Sequence, residues 1–152
     1  EQTNNHGSLT YQPIKKDEIS AVTNSIHPLS NHKQIPLHQL QNMVYVEEKS
    51  KTEATETLEK KLKEQGETIP SFQDIIHLNN TEAIKQYISQ SHALAFLPKI
   101  AIAKEIKLTT LRTLDIKHLP LHRLLYAVFQ KNLSNKKAQY FVQFLKHAIQ
   151  NE

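Results

Sequence analysis

The sequence contains no cysteine. That excludes a disulfide scaffold, thiolate metal sites and thiol catalysis, and it permits a reducing compartment. Glycine is nearly as scarce, with two residues in 152 against the usual ~7%. Turns must then be built from Pro, Asn, Asp and Ser, and a Gly-rich phosphate loop is excluded. No apolar run approaches the roughly 18–20 residues that cross a bilayer, so no spanning helix is expected. The first residues, Glu1 to His6, lack the basic and apolar stretches of a secretion signal. They also lack an initiating Met, which fits a piece of a longer protein.

What is present suits a single domain with a real core: hydrophobic residues make up 38% and charged residues 22%. Nineteen Lys and Arg against fifteen Asp and Glu give a net charge of +4, which invites a nucleic-acid reading. The distribution argues against it. Between Glu47 and Glu67 the lysines alternate with glutamates, as on a solvated helix face. Arg112 and Arg123 are the only arginines, so bidentate base readers are few.

Apolar patterning gives short strands alternating with helices. Strand candidates are Leu9–Val22, interrupted by Pro13 and the Lys15–Glu18 cluster, then Met43–Val46, Phe72–Leu78, Ala93–Leu97, Leu108–Ile116 and Leu121–Gln130. Thr23–Pro36 reads as a loop, and Leu37–Gln41 as one helical turn. A capping box with Ser50 as N-cap and Glu53 as its partner opens a helix carrying Ala54, Leu58 and Leu62, which Gly66 stops. Asn79-Asn80-Thr81-Glu82 opens a second helix, to about Ser91, with Ala83, Ile84, Tyr87 and Ile88 on one face. Ile100–Ile106 is a short helix after Pro98. Ser134 caps a last helix whose apolar face is Ala138, Phe141, Val142, Leu145, Ala148 and Ile149. Such alternation predicts an α/β fold with parallel strands and crossover helices.

The chemistry is sparse. His118 and His122 have the i, i+4 spacing of helical zinc ligands, but Pro120 between them breaks the helix that spacing needs. His27, His32 and His38 share a loop without a completing carboxylate cluster, so no metal is expected. No G-x-S-x-G elbow holds a nucleophile, and the pairs Asp17–Glu18 and Glu47–Glu48 are adjacent rather than opposed. An enzyme is not expected. The helix starts at Ser50–Thr52 and Asn79–Thr81 both follow candidate buried strands, where an open α/β sheet seats its ligands. Their free N–H groups suit an anion, although capping is the commoner duty of such residues.

In order, these segments resemble the C-terminal part of the effector-binding domain of LysR-type transcriptional regulators. Pro13–Ile19 is similar to the family's crossing strand, and His27-Pro28-Leu29-Ser30 to its His-Pro-Leu segment. Ile35–Leu40, Asn79–Ile84 and Ala95–Pro98 follow at the family's spacing, and Glu48–Thr52 falls where the family has an effector loop. Leu114–Ile116, Leu119–Arg123, Leu124–Lys131 and the final helix complete the series. Two departures stand out. Ser91 and Ala93 occupy positions where the family usually has glycine, and Glu53 stands where many members carry a basic residue.

The resemblance implies a type-2 periplasmic-binding-protein-like fold: a second Rossmann-like subdomain plus segments returning to an incomplete first one. Residues 1–23 would be the end of the first subdomain and a crossing strand. Residues 24–130 would be the second subdomain, and 131–152 a helix returning toward the first. It implies a ligand-sensing domain of a bacterial regulator, cytoplasmic, without cofactor, metal or membrane contact. Its partners would be a small effector, for which an anion would suit the helix starts, and a second copy through the regulatory domains. DNA would be met only through an N-terminal domain outside this chain. The effector contacts it implies are Lys49, Ser50, Lys51, Thr52, Asn79 and Asn80. Ser50 would hold the cap, leaving Thr52 and Lys51 for the ligand. The alternative is a fragment of a transport-system solute-binding protein, which shares the fold.

Overall fold

The computed structural model describes residues 9–68, 72–130 and 136–150. Its first element, β1 (Leu9–Asn24), is one continuous strand of 16 residues rather than an interrupted one. Pro13 stands in its partly exposed half, where a strand tolerates a residue without an N–H donor. From Ile19 to Asn24 every residue is buried. Alternation sends these side chains to opposite faces. Ile19 and Ala21 join one core with Tyr45, Leu58 and Phe96, whereas Val22 joins another with Val46, Ile88, Leu97 and Ile102. Each such fully buried Leu, Ile or Val contributes about 1.5–3 kcal/mol.

Two 3-10 turns, Pro28–Asn31 and Leu37–Asn42, lead to β2 (Val44–Glu48). Then come α1 (Glu53–Glu64), β3 (Asp74–Leu78), α2 (Thr81–Ser89), β4 (Ala95–Pro98), α3 (Lys99–Lys107), β5 (Leu111–Leu114), β6 (Leu121–Gln130) and α4 (Lys136–Gln150). β2 pairs parallel with β3, and a parallel bridge joins Tyr45 to Leu94 at the entry to β4. β1 lies antiparallel to β4 (Ala21 opposite Phe96) and to β5 (Ala21 opposite Leu114), and it also pairs with β6. Hence β2, β3, β4 and β5, joined in turn through α1, α2 and α3, keep one direction, as crossover helices require. β1 departs from this parallel arrangement: it runs against β4 and β5, and it enters β2 through 3-10 turns rather than a helix.

Other departures have local causes. The strand expected at Leu108–Ile116 shrinks to Leu111–Leu114 because the chain before it still closes α3: Leu108 N donates to Lys104 O and Thr110 N to Glu105 O. β3 was expected to be buried, but its Asp74, Ile75 and His77 are exposed. On α2 the buried set is Ile84, Lys85 and Ile88, with Tyr87 exposed. On α4 Val142 is buried, while Phe141 and Ala148 are exposed, so the apolar face expected there is only partly covered. The cap expected at Ser134 lies outside the described residues.

The chain divides into two compact units, Glu18–Arg123 and the remainder. The division falls inside β1 and β6, whereas the boundaries expected from sequence, 23/24 and 130/131, stand at those strands' C-terminal ends.

His27 closes the first 3-10 turn, its Nδ1 accepting from Leu29 N at 3.1 Å, and its ring meets His92 edge-on with centroids 5.3 Å apart. Burial, and then the neighbouring His92, hold its imidazole below the usual value of 6.5. As pH falls below 6.5 the unfolded chain therefore takes up this proton first. Stability present above that pH is lost as pH drops through the folded value. Urea midpoints should fall between about pH 7 and pH 5, and His27→Gln should flatten that slope. An unchanged slope in the variant would acquit His27.

Candidate functional site

The C-terminal ends of β2 and β4 and the first turns of α1 and α2 surround a pocket of about 120 Å³. Its polar lining is Glu47, Glu48, Thr52, Glu53, Thr55, Thr81 and Arg123, over a floor that includes Tyr45, Val46, Phe96 and Leu97. Thus the two helix starts singled out from sequence do meet in one crevice, through Thr52 and Thr81.

The capping residue is not the expected one. Thr52 is the N-cap of α1: it keeps an extended backbone (φ −103°, ψ 161°) and its Oγ1 accepts from Thr55 N at 3.3 Å. The helix begins at Glu53, so Ser50 and Glu53 form no capping box. Either residue type can cap; the length of the turn after β2 decides between them, and residue types do not encode that length. Thr52→Ala should therefore cost about 1 kcal/mol, and Ser50→Ala within about 0.5 kcal/mol. Urea unfolding of both variants measures this, and the reverse order would restore Ser50 as the cap. Lys51, expected to be available to a ligand, is paired with Glu59 on the surface.

On α2 the N-cap is Asn80, whose Oδ1 accepts from Ala83 N at 2.9 Å; Asn79 is exposed beside it. Thr81 Oγ1 donates to Glu48 Oε1 at 2.6 Å and so ties α2 to the end of β2. Lys49 N donates to Leu78 O at 2.8 Å, which fixes the turn after β2 on the end of β3. Of the six residues expected to meet a ligand, only Thr52 lines the pocket; Lys49, Ser50, Lys51, Asn79 and Asn80 do not.

Arg123, at the start of β6, was missed as a site residue. Its Nη1 lies 3.4 Å from Glu53 Oε2, and its side chain is mostly buried. The contact joins positions 70 apart, so no local spacing could have announced it. Three glutamates and one arginine line the pocket, so its charge is mixed rather than plainly suited to an anion. Among the described residues no cluster of three or more His, Asp or Glu could hold a metal, and no helix is long and apolar enough to cross a membrane.

The family model described as the LysR substrate binding domain matches residues 1–150. A probable RuBisCO transcriptional regulator of Phaeodactylum tricornutum is 27% identical over 148 residues, covering 95% of this chain and 48% of that protein. Its counterpart in Synechocystis sp. is 28% identical over 132 residues, covering 86% of this chain and 38% of that protein. The chain thus spans about half or less of the curated relatives it matches. The regulatory domain of Synechocystis PCC6803 CcmR in complex with 2-PG superposes with a TM-score of 0.76 at 20% identity, over 95% of this chain and 68% of that one. The effector-binding domain of QuiR in complex with shikimate gives 0.69 at 17% identity, over 96% and 67%. These relatives are regulators rather than enzymes, and they lend no support to the transport-protein alternative. The chain belongs to the LysR substrate-binding-domain family, with the type-2 periplasmic-binding-protein-like fold of LysR regulatory domains.

Proposed function

We propose that this chain is the ligand-sensing part of a cytoplasmic LysR-type transcription factor. A small effector seats at the strand-end pocket, and its binding is relayed to a DNA-binding domain outside these 152 residues. The carrying observation is the convergence of Thr52, Thr81 and Arg123 from two helix starts and a distant strand on one crevice. Ligands in that position are usual for open α/β sheets. Regulatory domains of the same fold hold 2-PG and shikimate, which supports an effector of similar size.

In this reading the turns Lys49–Thr52 and Asn79–Asn80 border the effector, with Thr52 nearest to it. The unit formed by Glu18–Arg123 corresponds to the second subdomain, and the other unit to part of the first. Two copies pair through their regulatory domains. Leu124, Tyr126 and Val128, each about half exposed on one face of β6, support a surface that further protein covers.

The test is reporter induction by the complete regulator, with thermal melting measured beside it. Thr81→Val should raise the half-inducing effector concentration about tenfold. Thr52→Ser, which keeps the cap, should leave melting unchanged. Unchanged induction in Thr81→Val would remove this pocket from the proposal.

A further inference from the structure

A larger cavity, of about 530 Å³, opens elsewhere in the same unit. It is built by β1, β5, the β5–β6 loop and Gln34, and shares only Phe96 with the strand-end pocket. Its floor is apolar: Ile19, Phe96, Leu114 and Leu121 are all buried members of one core. Its rim carries Glu18, Asp115, His118 and His122.

The rim is held in place at a cost. Gln34 (φ 53°) and His118 (φ 58°) are two of the three non-glycine residues with positive φ among those described, and both line this cavity. Such a backbone costs roughly 1–2 kcal/mol per residue and persists only where its surroundings impose it. Here Gln34 N and Nε2 donate to the Asp115 carboxylate at 3.1–3.2 Å. His118 O accepts from Gln65 Nε2 at 2.6 Å. The two walls are also laced together: Ile35 N donates to Asp115 O at 2.8 Å, and Lys117 N to Ile35 O at 2.9 Å. The concavity is therefore preformed, as small-molecule sites usually are.

The charges differ in kind. Glu18 is neutralised by Lys99, 2.7 Å away. Asp115 accepts from the neutral donors of Gln34, and no ion pair to it forms among the described residues. An apolar floor beside a carboxylate held by amide donors and in no ion pair complements a ring that bears a positive charge.

We propose that this cavity is a second ligand site, separate from the strand-end pocket, which takes a small organic cation with a cyclic apolar body. The ring lies on the floor and the cationic group faces Asp115.

Benzamidine is the probe, titrated into the ¹⁵N-labelled chain, with benzoate as the same ring of opposite charge. Benzamidine should give saturable shifts at the Gln34, Asp115 and His118 amides, and benzoate should not. Asp115→Asn should weaken binding about tenfold, while Thr81→Val, in the other pocket, should leave it unchanged. Absence of a saturable response, an equal response to benzoate, or undiminished binding by Asp115→Asn each overturns the proposal. So do shifts at these residues that follow protein concentration without probe, because a second copy then covers the cavity. The benzoate comparison on the parent chain decides even where the Asp115→Asn variant does not fold.

Discussion

Lys85→Met should cost the domain about 3 kcal/mol. The Lys85 side chain is 10% exposed and joins α2 to α3, its Nζ 2.7 Å from Glu82, 3.0 Å from Glu105 and 3.1 Å from Ala101 O. Burial is the largest influence on both Lys85 and Glu105 and works against their charges, but their ionic and hydrogen-bonded contacts together outweigh it. Lys85, bonded to Glu82 and Glu105, is held above its ordinary value and Glu105 below. Methionine preserves the packing and removes the cation. Glu105, whose Oε2 is already buried without a hydrogen-bond partner, then loses its main countercharge and keeps only its own backbone N–H and the more distant Lys104. Replacing both residues by apolar ones should recover most of the loss, because the penalty lies in the orphaned charge rather than the missing pair. Urea unfolding of Lys85→Met, Glu105→Leu and the double variant measures the coupling. A cost below about 1 kcal/mol for Lys85→Met would mean that water reaches Glu105 readily.

Arg123→Met in the complete regulator should lower effector sensitivity on the order of 100-fold while changing stability by less than about 1 kcal/mol. Arg123 is the one cation in the lining of the strand-end pocket, and three glutamates share that lining. An anionic effector would find its countercharge there. The ion pair with Glu53 adds little to stability, because Glu53 is more than half exposed. Dose–response curves of reporter induction give the first quantity, and melting gives the second. Full sensitivity in the variant would point to an effector that carries no negative charge.

The sequence made the elements legible where the signal was local. Leu121–Gln130 has the bounds expected of it, and the stripe Ala54, Leu58 and Leu62 is the buried face of α1. Gly66 ends that helix with φ +71°, the conformation glycine adopts without penalty. What could not be read was decided at a distance. Lys85 looks like a surface residue until α3 brings Glu105 to it, and Arg123 looks like one of many cations until β6 delivers it beside Glu53. The choice of Thr52 over Ser50 as cap hung on the length of one turn. The direction of β1 was hidden for a similar reason, since its partners β4 and β5 lie about 75–90 residues along the chain.

The division of β1 between two cores bears on how genes for such domains can change length. Ile19 and Ala21 serve one face and Val22 the other, so inserting or deleting one codon near position 18 would exchange the duties of the residues on one side of the change. Substitutions of similar volume there are tolerable, because each face keeps its own supply of apolar groups. A change of one residue in length is not, because β4 and β5 read the same stretch in fixed register. Insertions and deletions in related genes should therefore gather in the 3-10 turns and in the segment between α1 and β3, leaving the spacing from Asp17 to Asn24 constant.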